Sequence, residues 1–352
     1  MDAVKDKRFI FIYDECHRSQ FGKMHQAIDQ FFTNKLHYGF TGTPIFPANK
    51  SPTGKTTAYV FDELLHSYKI QDAIADGSVL GFDFECYSTI KIKEKIQDLR
   101  VKSINTFELF ASEDRLDLIT DFVILNYPVK TRNCKFNAMF AVASKSRDEN
   151  DTGLIHKYYK LFKEKKEKGL HDLKVAAIFS VQDNEDAVGN EATSRALLAS
   201  YMKDYNEMFG TQFDLETFDE YRDDVSDRMK KREIDLLLVV DMFLTGFDCP
   251  MLNTLFVDKN LEYHKMIQAF SRTNRLVDKS KYCGNIVCFR NLEENFDKAL
   301  ALFSNPQDID KILMKSYDFY VKKFNKDVVG FYKIIQNVDD FGKIKNDYAG
   351  GI

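Results

Sequence analysis

The sequence predicts an α/β protein built on parallel sheets, and three observations lead to this fold class. Short apolar runs recur along the chain, they do not alternate with polar residues, and the stretches between them are long enough for helical crossovers. Such runs are typical of strands buried on both faces, because helices cover each face of a parallel sheet. The 352 residues, 44% hydrophobic and 30% charged, are enough for two domains of ordinary globular composition.

Seven runs are predicted to be strands, and in chain order they are 8–13, 36–41, 135–143, 173–179, 234–240, 253–258 and 284–289. A helical pattern, HSYKIQDAIADG, follows the second run and ends at Gly77, a residue typical of helix C-caps. Next comes GFDFECYSTIKIKEKI, which alternates enough to be a strand that leaves the first sheet. Beyond Arg290, FDKALALFS and DKILMKSYDFYVKKF are amphipathic, so we expect a helical C-terminal segment.

Composition and charge exclude several classes of protein. No stretch approaches the roughly 18 apolar residues of a membrane span, and the first residues lack the pattern of a secretory signal, so we expect a cytosolic protein with no membrane partner. The six cysteines form no CxxC pair and are predicted to be reduced thiols. A net charge of −4 argues against a protein that coats nucleic acid indiscriminately, but it permits a local basic track.

Two adjacent acids follow the first predicted strand, in the tetrad Asp14-Glu15-Cys16-His17. The carboxyl ends of buried parallel strands are where α/β sheets place ligands, and in nucleotide motors such a pair divides two tasks. Asp14 would hold Mg²⁺ through water, and Glu15 would orient and deprotonate the attacking water. Taken alone, the tetrad is also compatible with two solvated acids in a loop.

Three further segments extend this pattern. The second strand runs into TGTP at 41–44, the strand at 234–240 is followed by TGFD at 245–248, and QAFSRTNR occupies 268–275. The DECH-type tetrad and TGTP resemble motifs II and III of superfamily 2 helicases, and the two later segments resemble motifs V and VI. All four occur in the order of that family. The resemblance implies two RecA-like lobes, the first partial and the second complete, followed by a C-terminal helical segment.

The resemblance also implies roles for individual residues. Those that would bind the nucleotide or couple its state to nucleic-acid binding are His17, Thr41, Thr43, Gly246, Asp248 and Gln268. Arg272 and Arg275, three residues apart, would lie on one side of a helical turn, reach phosphates presented by the opposite lobe and act as arginine fingers. By itself, that helix could equally be a solvated basic surface. Thr245 would contact DNA, as would Lys145 and Arg147, for which ordinary surface charge is the alternative.

The residues around these motifs make the resemblance more specific. DECHRSQFG, GFTGTPIF, DMFLTGFDCPMLNTLFVDKNL and HKMIQAFSRTNR resemble the motor (R) subunit of type I restriction enzymes more closely than unwinding helicases or chromatin remodellers. The likeness extends from Phe9 to about Ser316. It implies ATP and Mg²⁺ as cofactors, double-stranded DNA as the translocated substrate, and the methylase and specificity subunits as partners.

A complete motor also needs a P-loop, GxxxxGK[ST], which this family carries upstream of the DECH strand. The TGKTT at 53–57 follows TGTP instead and has Asn49 where glycine is required, so we predict a surface loop there. We therefore expect a C-terminal fragment that lacks the P-loop and the nuclease domain and is inactive as an ATPase by itself.

Four regions are predicted: 1–85 as the later part of the first lobe, 86–130 as a linker, 131–292 as the second lobe, and 293–352 as the start of a helical domain. The expected function is that of a fragment of an ATP-dependent double-stranded DNA translocase. Two alternatives stay open. Another superfamily 2 helicase or remodeller would share every site residue, and a truncated product would only bind DNA or the methylase core.

Overall fold

The computed structural model describes residues 7–19, 23–50, 54–87, 110–143, 153–180, 191–304, 312–314 and 317–334. Within these residues the strands form two sheets, one of two strands and one of six, and every strand pairing is parallel. Helices connect the strands. The predicted fold class, α/β with parallel sheets, is confirmed.

The first sheet joins β1 (Phe9–Tyr13) and β2 (Lys35–Gly39), which pair in register from Phe9 opposite Lys35 to Tyr13 opposite Gly39. Both strands were predicted. The helices of this region are α1 (Cys16–Ser19), α2 (Lys23–Phe31), α3 (Thr57–Phe61) and α4 (Ile70–Ala75). Because parallel strands end at the same edge of a sheet, the residues after Tyr13 and Gly39 are brought together.

The second sheet contains β3 (Gly81–Cys86), β4 (Asn137–Val142), β5 (Val175–Ile178), β6 (Leu236–Val239), β7 (Leu252–Asp258) and β8 (Cys283–Cys288). Their order across the sheet is β3-β8-β7-β4-β6-β5. Every residue of β4 to β8 is buried, which is why these strands appear in the sequence as apolar runs without alternation. The five strands predicted between residues 135 and 289 are confirmed.

The helices of this second region are α5 (Glu113–Lys130), α6 (Gly153–Glu167), α7 (Glu191–Phe209), α8 (Phe218–Lys230), α9 (Tyr263–Phe270), α10 (Glu293–Phe303) and α11 (Tyr317–Ile334). α5 shows why the sequence folds in this way. Acids in its first turn and Lys130 in its last complement the helix dipole. Leu116, Ile119, Val123 and Tyr127 recur at helical spacing and pack into the core.

Two predicted features differ from the structure. The strand expected to leave the first sheet is β3, and it pairs instead with β8, from Gly81 opposite Cys283 to Cys86 opposite Cys288. A boundary at residue 85 therefore divides a strand of the second sheet. The predicted linker, 86–130, contains α5, because the apolar face of that helix is complementary to the core of the second sheet.

The segment predicted to begin a separate helical domain at residue 293 starts with α10, which packs on the same core. Phe296, Ala299, Leu300 and Phe303 are buried there at helical spacing. The Lys-rich helix α6 likewise turns an apolar face inward, and its Lys165 forms ion pairs with Asp117 and Asp121 of α5. No helix among the described residues combines the length and the apolar character that a membrane crossing requires.

Candidate functional site

The acidic tetrad forms a sharp turn at the carboxyl end of β1. Glu15 has a φ of 45°, a left-handed conformation that costs a non-glycine residue of order 1 kcal/mol or more and is typical of functional sites. The Glu15 amide donates to Oδ1 of Asp14 at 2.9 Å, and the Cys16 amide donates to the carbonyl of Phe40 at 3.0 Å. The turn is thus fastened to the residue that follows β2, and the carboxylates of Asp14 and Glu15 project at the sheet edge.

His17 connects this turn to TGTP. Its Nδ1 lies 2.8 Å from Oγ1 of Thr41 and 3.3 Å from Oε2 of Glu15. The Thr43 amide donates to the same Thr41 hydroxyl at 3.0 Å. Asp14, Glu15, His17, Thr41 and Thr43, which were predicted from two separate sequence segments, therefore lie together at one edge of the first sheet.

Gln268 of α9 reaches this cluster from the second sheet. Its side-chain amide donates to Oγ1 of Thr43 at 2.7 Å and lies 3.1 Å from Nε2 of His17. A neutral His17 ring that accepts from Gln268 at Nε2 would carry its proton on Nδ1, next to Thr41 and Glu15. All three contacting side chains, His17, Thr43 and Gln268, are buried. Buried polar contacts with short distances define one arrangement of the two sheets.

The two arginines of the same segment lie beside the loop that follows β6. Arg272 donates to the Phe247 carbonyl at 2.7 Å and to the Gln268 carbonyl at 3.0 Å. Nε of Arg275 lies 3.3 Å from Oδ1 of Asp248. Burial, together with the neighbouring Arg275 cation, lowers the pKa of Arg272, while Glu15 and Asp248 oppose this shift. A phosphate placed here would relieve the repulsion between the two cations.

Two polar atoms of the site have no hydrogen-bond partner among the described residues: Oε2 of Glu15 and Nε of Arg275. Oε2 of Glu15 lies 3.3 Å from Nδ1 of His17, and Nε of Arg275 lies 3.3 Å from Oδ1 of Asp248, in both cases without the geometry of a hydrogen bond. Buried polar atoms are nearly always hydrogen-bonded, so exceptions at such a place indicate groups available to a ligand. One is the predicted general base and the other a predicted arginine finger.

The loop after β6 contains the remaining predicted residues, Thr245, Gly246 and Asp248. Gly246 has a φ of 73°, which glycine adopts without the penalty of a side chain. Phe247 is buried and packs against Phe243 with ring centroids 4.6 Å apart, so the loop is anchored from inside. Its Phe247 carbonyl and Asp248 carboxylate then face the arginines, and Thr245 stays partly exposed.

A magnesium ion would have to rely on few protein ligands. Across the described residues, no three histidine, cysteine, aspartate or glutamate side chains are grouped as a metal site. Asp14 is exposed and offers a single carboxylate. This suits Mg²⁺, because the ion keeps several of its waters and binds one or two carboxylates together with substrate phosphates. The residues present fit such an ion.

Three other sequence predictions have different outcomes. Lys145 and Arg147 lie outside the described residues. In TGKTT, Thr56 caps the short helix α3 by accepting from the Tyr59 amide at 3.2 Å, and Thr57 accepts from Ile45 at 2.8 Å. Both threonines have local structural partners, and α3 begins at Thr57, inside the segment that was predicted to be a surface loop.

One polar cluster was missed. Asp258, at the carboxyl end of β7, is fully buried and accepts two hydrogen bonds from Arg115, at 2.7 and 2.9 Å, one from Tyr158 at 2.7 Å and one from Arg290 at 3.0 Å. Burial alone would raise the pKa of Asp258, but the bonds and charges of Arg115 and Arg290 lower it overall. An acid that ends an apolar strand, as in NTLFVD, was the available signal.

Two models of known protein families match this chain, one in its earlier part and one in its later part. Residues 134–291 match the family model "Type I restriction enzyme subunit R domain 3", and residues 1–115 match the model "SWI2/SNF2 ATPase". The structure of a fragment of a putative HsdR subunit from Vibrio vulnificus is similar with a TM-score of 0.49 and 15% identity, covering 84% of this chain and 46% of that one.

Curated relatives extend the match along the chain. The endonuclease subunit of the type I restriction enzyme SauMRSORF196P from Staphylococcus aureus is 45% identical over 92% of this chain. A putative endonuclease subunit, MjaVIIP from Methanocaldococcus jannaschii, is 25% identical over 86% of this chain and covers 29% of its own length. The chain spans 35% of the length of the Staphylococcus aureus relative. Over the region that it shares with these proteins, the chain belongs to the family of type I restriction enzyme endonuclease (R) subunits.

Proposed function

We propose that this chain forms part of the ATP-driven motor with which a type I restriction endonuclease subunit translocates double-stranded DNA in the cytoplasm. The observation that carries this proposal is the contact of Gln268 with Thr43 and His17. It joins the segment that holds the predicted base, Glu15, to the helix that precedes the predicted arginine fingers. An acid on one side of this contact and two arginines on the other suit phosphoryl transfer.

In this arrangement each side chain has a defined task. Glu15 orients the attacking water and accepts its proton, a role for which its Oε2 is suited because it takes part in no hydrogen bond among the described residues. Arg272 and Arg275 stabilise the negative charge that develops on the transferred phosphoryl group. Asp14 would hold Mg²⁺ through water, and the bound ion would neutralise charge on the phosphates.

Coupling to DNA follows from what the arginines contact. In the structure Arg272 and Arg275 lie against the Phe247 carbonyl and the Asp248 carboxylate of the loop after β6. A triphosphate offers both guanidiniums stronger acceptors, so its arrival would draw them away from that loop. Thr245 of the same loop would contact DNA, and Lys145 and Arg147 would extend the phosphate track. The methylase and specificity subunits would hold the motor at its site.

The test uses an R subunit in which this chain occupies the region that it matches, assembled with methylase and specificity subunits. We expect DNA-stimulated ATP hydrolysis, and Glu15→Gln should reduce it by about 10²-fold or more, the usual contribution of a positioned base. Glu63→Gln, at an exposed position of the same region, is the matched control and should leave turnover unchanged. Normal turnover in Glu15→Gln would remove this carboxylate from the mechanism.

A further inference from the structure

Two cysteines far apart in sequence meet at the edge of the second sheet. Cys86 is the last residue of β3, Cys288 is the last residue of β8, and the two are direct partners in the parallel register. Their side chains consequently project from the same face of the sheet. The Cys288 thiol is close enough to influence the pKa of the Cys86 thiol, and the reverse also holds. The pair lies outside the cluster of Glu15, Gln268 and the arginines.

The two thiols have different surroundings. Cys86 is partly exposed, whereas Cys288 is fully buried. The Cys86 sulfur also lies near the backbone amides of Leu292 and Glu293, where the eleven-residue helix α10 begins. The Cys288 thiol, with these amides, lowers the pKa of Cys86, although burial opposes the shift. Burial raises the pKa of Cys288 well above its usual range.

With this difference, Cys86 is suited to attack as a thiolate and Cys288 to act as the resolving thiol. A thiolate that is stabilised by a helix start and a neighbouring S–H, and that solvent can reach, is the reactive kind of cysteine. The backbone spacing also suits a bond between the two sulfurs. Neighbouring strands lie about 4.7–4.9 Å apart, and disulfides join Cα atoms about 4.4–6.8 Å apart.

We propose that Cys86 and Cys288 form a dithiol that hydroperoxides oxidise to a disulfide. The Cys86 thiolate attacks one oxygen of hydrogen peroxide, an S–O bond forms as the O–O bond breaks, and hydroxide leaves. The Cys288 sulfur then attacks the sulfenic sulfur of Cys86. The S–S bond forms as the S–O bond breaks, and the departing hydroxide takes the Cys288 proton as water. The two sulfurs lose two electrons and the peroxide gains them.

The other cysteines provide internal comparisons. Burial raises the pKa of Cys16 and Cys249 to about 11 and that of Cys283 to about 12, so these three thiols stay protonated and inert in the folded chain. Cys134 is exposed in the turn before β4. It shares solvent access with Cys86, which makes it the matched control for exposure alone.

The disulfide would tie the edge strand β3 to β8. At its other end β3 is already held next to the arginine segment, because the Leu80 amide donates to the Asn274 carbonyl at 2.8 Å and the Asn274 side chain donates to the Leu80 carbonyl at 3.0 Å. Since a covalent link restricts the unfolded chain, oxidised protein should melt at a higher temperature than reduced protein.

The experiment treats the folded chain with hydrogen peroxide at a small molar excess, blocks remaining thiols and maps peptides by mass spectrometry. We expect a Cys86–Cys288 disulfide that dithiothreitol reverses. Cys288→Ala should leave Cys86 as a sulfenic acid that dimedone traps, and Cys86→Ser should abolish both products. Cys134→Ser should leave the disulfide unchanged.

Alkylation before oxidation gives a second measurement that does not depend on the variants. The rate at which Cys86 is alkylated should rise with pH, and the midpoint of that rise should lie below roughly 8.5, the pKa of an unperturbed cysteine. Oxidation confined to Cys134, or a Cys86 that peroxide leaves reduced while Cys134 reacts, would overturn the proposal. So would a Cys86 alkylation midpoint at or above that of an unperturbed thiol.

Discussion

The side-chain amide of Gln268 donates a 2.7 Å hydrogen bond to the hydroxyl of Thr43, which is 225 residues earlier in the chain. Thr43 follows a strand of the first sheet, and Gln268 belongs to a helix that packs on the second. Both side chains are buried. This bond makes the relative position of the two sheets depend on the same residues that would sense a nucleotide.

The bond should be measurable as a coupling free energy. Gln268→Ala and Thr43→Val each remove one partner, and in the double variant the two losses should fall short of additivity by about 0.5–1.5 kcal/mol in urea unfolding. Gln268→Ala combined with Thr217→Val, a distant substitution ahead of α8, should be additive to within about 0.5 kcal/mol. A coupling no larger than that of this control pair would mean that the bond does not stabilise the arrangement.

Arginine-finger chemistry predicts a large kinetic effect with little effect on folding. In an R subunit carrying this chain, Arg272→Ala or Arg275→Ala should lower ATP turnover by about 10³-fold or more. Melting temperatures of the variants should stay close to that of the parent protein. Arg222→Ala, at a surface ion pair with Asp219, is the control and should turn over normally. Full activity in both site variants would exclude this segment from catalysis.

The sequence predicted the strands and the motif residues, because buried parallel strands and motor motifs both leave local patterns. The cluster of His17, Thr41, Thr43 and Gln268 follows from those motifs. Domain boundaries were harder to predict. The alternation in β3 does not reveal which sheet the strand joins, since that depends on its pairing with β8, some 200 residues later. The Asp258 cluster likewise joins four distant segments through contacts that have no local signature.

The buried carboxylate of Asp258 predicts a pH dependence of stability. Its pKa is lower in the folded chain than the value of about 3.9 in an unfolded one, so its contribution is present above that value and is lost as the pH falls. Asp258→Asn should cost about 3–5 kcal/mol near neutral pH, because the variant removes the carboxylate that neutralises the buried Arg115 cation.

The difference between the two proteins should shrink as the pH falls from about 5 towards 2, since the wild-type carboxyl is then increasingly protonated. Urea unfolding at a series of pH values measures this. Asp219→Asn, which alters an exposed pair, should track the wild type throughout. A constant difference between wild type and Asp258→Asn would show that the charge of Asp258 does not stabilise the fold.

Binding to DNA should be sequence-independent and weaken steeply with salt, because a translocase contacts only a few phosphates at a time. Lys145→Ala/Arg147→Ala should lower the affinity for unrelated duplexes and reduce the slope of log affinity against log salt by about 0.9 for each phosphate that the variant no longer neutralises. A salt titration of fluorescently labelled duplexes measures both quantities. Equal affinity and equal slope in the two proteins would place the track elsewhere, and a strong preference for one sequence would argue against translocation.

The central claim is that Glu15, facing Arg272 and Arg275, drives movement along duplex DNA. Triplex displacement tests it most directly: a third strand is bound downstream of the recognition site, and its release is followed in the assembled complex with ATP. We predict that wild-type chain releases the third strand while the duplex stays paired, and that Glu15→Gln binds the same DNA but releases nothing. Displacement by Glu15→Gln at the wild-type rate, or separation of the two duplex strands by the wild type, would contradict the account.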